Sequence, residues 1–119
     1  MIKKNFNQPL SPIVFHILLS LSKRERHGYE IMKQVGYESR GVINLGPGSL
    51  YGTLKRLLEE CLVEEAAERP DQVIDDRRRR YYRLTEEGYL LLGGEIERLS
   101  QILSIARKNL GFARVGGLA

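Results

Sequence analysis

One cysteine, two histidines and no tryptophan in 119 residues leave little for metal or redox chemistry. Cys61 stands alone, so no internal disulfide can form, and a reducing compartment is expected. His16, His27 and Cys61 match no recognised metal-ligand spacing, so neither a metal nor another cofactor is expected. Paired carboxylates and a nucleophile–base set are equally wanting, which argues against an enzyme. Long apolar runs are missing too. Ile13 to Leu21, preceded by Lys3 and Lys4, imitates a signal peptide. The run is too short to span a bilayer, and it meets Lys23-Arg24-Glu25-Arg26 where small residues would mark a cleavage site. No segment is of low complexity and no internal repeat is present. The expected location is the cytoplasm.

What the chain does have is an apolar content of 42% and a net charge of +4. The length suits one small core, and the charge leans toward a polyanionic partner. Leu10, Ile13, Val14, Ile17, Leu18 and Leu21 recur at helical spacing. Ser11 is a good N-cap, Pro12 suits the first helical position, and Leu10 with Phe15 is spaced as a hydrophobic staple. A first helix is expected over about 11–22. Lys23 to Arg26 reads as a polar connector. A second helix, about 27–37, presents Ile31, Met32 and Val35 on one face. Gly46 and Pro47 then open a third, about 47–60, with a buried stripe of Leu50, Leu54, Leu57 and Leu58.

The period changes after that. Leu62 to Glu65 reads as a strand, Arg69 to Gln72 as a turn, and Asp75-Asp76 as a loop tip. Arg79, Tyr81 and Arg83 alternate with Arg80, Tyr82 and Leu84 as a second strand. Tyr82 is expected inward with Leu84, and Tyr81 outward with the arginines. Thr85 caps a last helix over about 85–110, with Glu86 and Glu87 complementing its dipole. Along it Tyr89, Leu92, Ile96, Leu99, Leu103, Ala106 and Leu110 are spaced 3, 4, 3, 4, 3, 4, a heptad seam. That length exceeds what a three-helix core can cover. The pattern predicts a mainly α fold with a small β-hairpin: a winged helix-turn-helix domain over residues 1–84, and a long C-terminal dimerisation helix with a short tail over 85–119.

The richest stretch is Asn44-Leu45-Gly46-Pro47-Gly48-Ser49-Leu50-Tyr51-Gly52-Thr53-Leu54-Lys55-Arg56, which suggests a phosphate. A nucleotide loop fails on spacing. Tyr51 follows Gly46 by five residues and Thr53 follows Gly48 by five, and neither makes the Gly-Lys-Ser/Thr of a P-loop. A dinucleotide fingerprint lacks its third glycine and its preceding strand. The free N–H groups of Gly48 and Ser49 would instead face a nucleic-acid phosphate. Helical winding puts Ser49, Gly52, Lys55 and Arg56 away from the leucines, with Tyr51 at the boundary. Gly52 costs the helix about 0.8–1 kcal/mol against alanine, which the close approach of a backbone or base edge would explain. An ordinary amphipathic helix with a solvated polar face fits the same residues. Arg77, Arg78, Arg79 and Arg80 favour the nucleic-acid reading, because adjacent guanidiniums repel without anions and grip phosphate in forked pairs. Against this, Asp71, Asp75, Asp76 and nearby glutamates would neutralise the run. His16 reads as a partly buried structural residue. His27 reads as a surface residue or a phosphate contact.

Taken in order, His27-Gly28-Tyr29-Glu30-Ile31, then Pro47-Gly48-Ser49-Leu50-Tyr51 with Leu54 and Leu57, then Arg80-Tyr81-Tyr82-Arg83-Leu84-Thr85 and Gly88, resemble the PadR-like transcriptional regulators. The likeness runs from about Leu10 to Leu110 and is nearest their short subgroup with a single C-terminal helix. It implies a winged-helix homodimer that represses promoters, paired by the C-terminal helix with help from the first. It implies that Tyr51 and its neighbours meet the major groove, that Tyr29 supports phosphate contacts, and that the wing arginines follow the minor groove or backbone. It also implies a small aromatic or hydrophobic inducer, although the lack of tryptophan argues against an indole-sandwiched drug site. Cys61 departs from the family, which usually has glycine there. Either the helix end is strained or the chain turns without a left-handed residue. The expected function is therefore sequence-specific binding of double-stranded DNA at an inverted repeat, with no membrane partner. The alternative is a winged-helix assembly module whose basic wing meets an acidic protein. Only the regulator would enrich a palindrome from random genomic fragments.

Overall fold

The computed structural model describes residues 8–66 and 80–111. Arg77, Arg78, Arg79 and the turn and loop tip predicted between the strands lie outside them. The elements run α1 (Pro12–Ser20), β1 (Arg26–His27), α2 (Gly28–Glu38), α3 (Pro47–Glu59), β2 (Val63–Glu65), β3 (Tyr81–Leu84) and α4 (Glu86–Leu110). This is a mainly helical fold with a small antiparallel sheet and a long last helix, as the periodicities predict.

Local chemistry sets the boundaries. The Val14 amide donates to Ser11 Oγ at 3.2 Å ahead of Pro12, and the Gly88 amide donates to Thr85 Oγ1 at 3.0 Å ahead of Glu86 and Glu87. Ile17, Leu18 and Leu21 of the first segment, Ile31 and Val35 of α2, and Leu50, Leu54 and Leu57 of α3 are all buried. Leu62, Val63, Tyr82 and Leu84 close the core from the sheet, and Leu91 and Leu92 from α4.

The sheet has the order β1-β3-β2, antiparallel throughout. The β2–β3 pairing is the expected hairpin. β1 is an addition: Arg26 and His27, read as connector and helix start, lie opposite Tyr82 and Tyr81. Two residues are too few to show a period of two, and only the free edge of β3 makes them a strand. Tyr82 faces inward with Leu84 as expected. Tyr81 lies on the opposite face with Arg83 as expected, but is half-buried there, its ring edge-on to His27 with centroids 5.3 Å apart.

Cys61 resolves the open question at the end of α3. Its φ is 60°, a left-handed residue without the glycine that usually occupies such a site. The Leu62 amide donates to Leu57 O at 3.0 Å and the Cys61 amide to Leu58 O at 3.0 Å, the paired bonds of a Schellman ending. Cys61 O in turn accepts from Thr85 Oγ1 at 2.7 Å, which ties the end of α3 to the cap of α4. Because a Cβ in this conformation costs energy, Cys61→Gly is expected to stabilise the fold by about 1 kcal/mol. A rise in the urea midpoint with an unchanged slope would show it.

Candidate nucleic-acid interface

Three elements meet at one corner of the domain: the N-terminus of α2, the outer face of α3 and the base of the hairpin. His27 is the N-cap of α2, its Nδ1 accepting from the Glu30 amide (3.3 Å) while its own amide donates to Glu30 Oε1 (3.2 Å). A capping box built on histidine leaves the residue 7% exposed. The surface role expected for His27 is thereby corrected: the ring is spent on the cap and on Tyr81. Burial pushes the Glu30 carboxyl up, but the His27 backbone, the His27 ring and Arg24 outweigh it and hold the group below its ordinary range.

Tyr29, one residue on, is 61% exposed. The phenol of Tyr51 crosses from α3 to the start of α2, where a Cβ on Gly28 would overlap its hydroxyl and lie 2.7 Å from Cζ. Gly28 thus leaves room for the Tyr51 phenol in this position; any larger residue there would displace it. Burial first, then Glu65 and Tyr51, push the Tyr82 hydroxyl above its usual pKa, while Arg80 opposes them. Tyr51, Tyr82, Glu65 and Arg80 thus share the corner.

The face of α3 is open. Gly48, Ser49, Tyr51, Gly52, Lys55 and Arg56 are all exposed, Tyr51 by 45%. No side chain caps this helix, whereas Ser11, His27 and Thr85 cap α1, α2 and α4. Its first-turn amides therefore project from exposed backbone, with the positive end of the helix dipole behind them. A Cβ on Gly46, Gly48 or Gly52 would meet nothing within 4 Å, and none of the three has positive φ. Neither packing nor backbone conformation of the free chain demands glycine there.

The arginines of the wing divide. Arg80 is exposed and 3.4 Å from Glu65, and Arg83 Nε donates to Glu64 Oε2 at 2.9 Å. Neutralisation by neighbouring glutamates thus holds for these two, as surface pairs of small energetic weight that another anion can displace. A feature not foreseen lies beside them. Arg24, Arg26, Tyr29, Lys33, Gln34 and Tyr37 line an open groove of about 440 Å³ on the outer side of α2. Lys33 Nζ sits 5.3 Å from the Tyr29 ring centroid. Burial, then Arg24, pull the Arg26 guanidinium down from its ordinary value; it stays charged. The signal was in the spacing of Tyr29, Lys33 and Tyr37, which recur every four residues on one helix face.

The sequence model of the transcriptional regulator PadR-like family matches residues 17–93. The chain belongs to that family. Among solved structures, a PadR family transcription regulator from Clostridium difficile R20291 is 30% identical, with a TM-score of 0.68 over 84% of this chain and 99% of that one. A PadR-like regulator from Bacillus cereus ATCC 14579 is 22% identical, with a TM-score of 0.67 over 82% and 90%. Bacillus subtilis PadR in complex with operator DNA is 24% identical, with a TM-score of 0.59 over 72% of this chain and 46% of that one. No curated protein matches the chain. As a PadR-like protein it is a transcriptional regulator and not an enzyme.

In this PadR-like chain α4 divides in two. Gly88, Leu91, Leu92 and Glu95 are buried against the body. Leu92, expected on a partner-facing seam, belongs to the chain's own core, because the winged helix needs the first turns of α4 to close it. Tyr89 is exposed, yet its hydroxyl donates to Ser22 O at 3.3 Å, within the same chain. Beyond Glu95 the same helix face continues uncovered: Ile96, Leu99, Leu103 and Leu110 are exposed and Ala106 is partly so. Ile102 and Ile105, outside the predicted heptad positions, are exposed as well and widen the stripe. No helix among the described residues is long and apolar enough to cross a membrane.

Proposed function

We propose that this regulator binds double-stranded DNA sequence-specifically as a homodimer, on an inverted-repeat operator, and represses transcription in the cytoplasm. The observation that carries the reading is the uncapped, glycine-lined, cationic face of α3 beside the exposed Tyr29 of α2. A helix N-terminus with free amides suits a phosphate, and Ser49, Tyr51, Lys55 and Arg56 offer donors to base edges. Tyr29, Arg24, Arg26 and Lys33 would add backbone contacts, and Arg77, Arg78, Arg79 and Arg80 of the wing would add more. The operator complex of Bacillus subtilis PadR supports the partner. The bare apolar stripe of α4 supports a second copy, and the family resemblance suggests a small aromatic or hydrophobic inducer. Residues 1–84 would then form the DNA-binding part and residues 85–119 the pairing part.

Base contacts and phosphate contacts have different signatures. Ser49→Ala and Lys55→Ala should narrow the gap between operator and random DNA by about 1–3 kcal/mol for each base edge no longer read. Arg80→Ala and Arg78→Ala should weaken all sequences alike and flatten the salt dependence by about 0.9 in log–log slope per phosphate released. Filter binding across a salt series reads both. Wing substitutions that change sequence preference while α3 substitutions do not would reverse the assignment.

A further inference from the structure

Glu95 is the last residue of α4 buried in the body, and it is a carboxylate only 4% exposed. A charge in such a place is retained only with good partners, and Glu95 has three donors among the described residues. Arg98 gives it a forked pair, Nε to Oε1 at 2.9 Å and Nη2 to Oε2 at 2.7 Å. The Leu10 amide donates to Oε2 at 3.3 Å across 85 residues of sequence. The Arg98 hydrogen bond, assisted by the Leu10 amide, outweighs burial and keeps the carboxyl below its ordinary range, so it is ionised at neutral pH. Glu95 thus fastens the chain ahead of α1 to the point where α4 leaves the domain.

We propose that Glu95 is a positioning residue that sets the spacing between operator half-sites recognised by the dimer. This rests on the dimeric, operator-binding reading above. The argument is one of leverage. From Thr85 to Leu110 the helix runs about 37 Å, so a tilt of about 10° about its start moves the far end by roughly 6 Å, and Glu95 is the tether farthest from that fulcrum. With the far half of α4 held by the partner, the tilt appears as a displacement of the winged-helix body. Two-fold symmetry repeats it in the other subunit. The tethers nearer the start of α4, Thr85 Oγ1 to Cys61 O and the Tyr89 hydroxyl to Ser22 O, act on a shorter arm and resist such a tilt less. Neighbouring base pairs differ by about 3.4 Å in position and 35° in rotation along the duplex, so the angle held at Glu95 selects among spacings.

The test presents purified full-length protein with operators whose half-sites are fixed and whose spacer varies by single base pairs. Wild type should favour one spacing and lose roughly tenfold, about 1.4 kcal/mol, at the next. Glu95→Leu replaces a buried ion pair by an apolar side chain, a change folds commonly tolerate. It should remain dimeric in sedimentation, keep its half-site sequence preference, and discriminate neighbouring spacings by no more than about twofold. Glu95→Gln retains an oxygen for the Leu10 amide and should restore most of the discrimination. Should Glu95→Leu fail to fold, Leu10→Pro removes the amide donor while leaving the carboxylate and Arg98 in place, and it should flatten the profile likewise. A folded dimer of Glu95→Leu or Leu10→Pro that keeps the wild-type spacing profile overturns the proposal while the operator reading stands. A wild type that binds no paired half-sites overturns both.

Discussion

Leu99→Glu should convert the protein to monomers in sedimentation velocity and lower its operator affinity by about 10²- to 10⁴-fold, the loss expected when two linked binding sites become independent. Leu99 is 39% exposed in the single chain, so a glutamate there meets water and costs the fold little. Between paired helices the same carboxylate would be buried without a partner, which costs several kcal/mol. Ile96, Leu99, Ile102, Leu103 and Leu110 make a contiguous apolar stripe, too long to be the scattered leucines that every surface carries. The helical circular dichroism should be unchanged and half-site binding should survive with a shallower salt slope. A dimer that persists would place the pairing surface elsewhere, with α1 the next element to test.

The stripe also shows where sequence reasoning reaches and where it stops. A spacing of 3, 4, 3, 4 marks one face of α4, but nothing in it says which turns the chain covers with its own body. Leu92 and Leu99 are both leucines on that face, yet one is buried at home and the other bare. The difference depends on where α1 and the sheet end, a tertiary fact. Ile102 and Ile105 escaped for the same reason, since a heptad template has no place for a wider face. Helix boundaries were legible to within two residues or so because their chemistry is local: Ser11 with Pro12, Thr85 with Glu86, Gly46 with Pro47.

The misreadings at the site have a common cause. β1 is a strand only because β3 offers an unpaired edge. His27 serves as an N-cap although histidine is outside the usual capping set. Tyr81 is half-buried because that ring lies beneath it. One unforeseen pairing, the short strand on β3, thus moved His27 from surface to interior and partly covered Tyr81. Residues whose environment comes from their own helix, such as Ser49, Gly52, Lys55 and Arg56, stand exposed as helical winding placed them. Those whose environment comes from another element do not.

Gly52→Leu should separate the needs of the fold from those of recognition by moving them in opposite directions. Leucine exceeds glycine in helix propensity by about 0.8 kcal/mol, and a Cβ at position 52 meets nothing within 4 Å. The free protein should gain close to that amount, raising Tm by roughly 3–6 °C at this size. Bound to operator, the added side chain would stand between α3 and the base edges it approaches. Overfilling a close-packed contact costs about 1–3 kcal/mol, a loss of roughly fivefold to 150-fold in affinity. Gly52→Ala should fall between the two on both scales. A variant that is more stable and binds operator as tightly as wild type would mean that α3 presents some other face to DNA. A variant that is less stable would mean that the open space beside Gly52 is filled in solution.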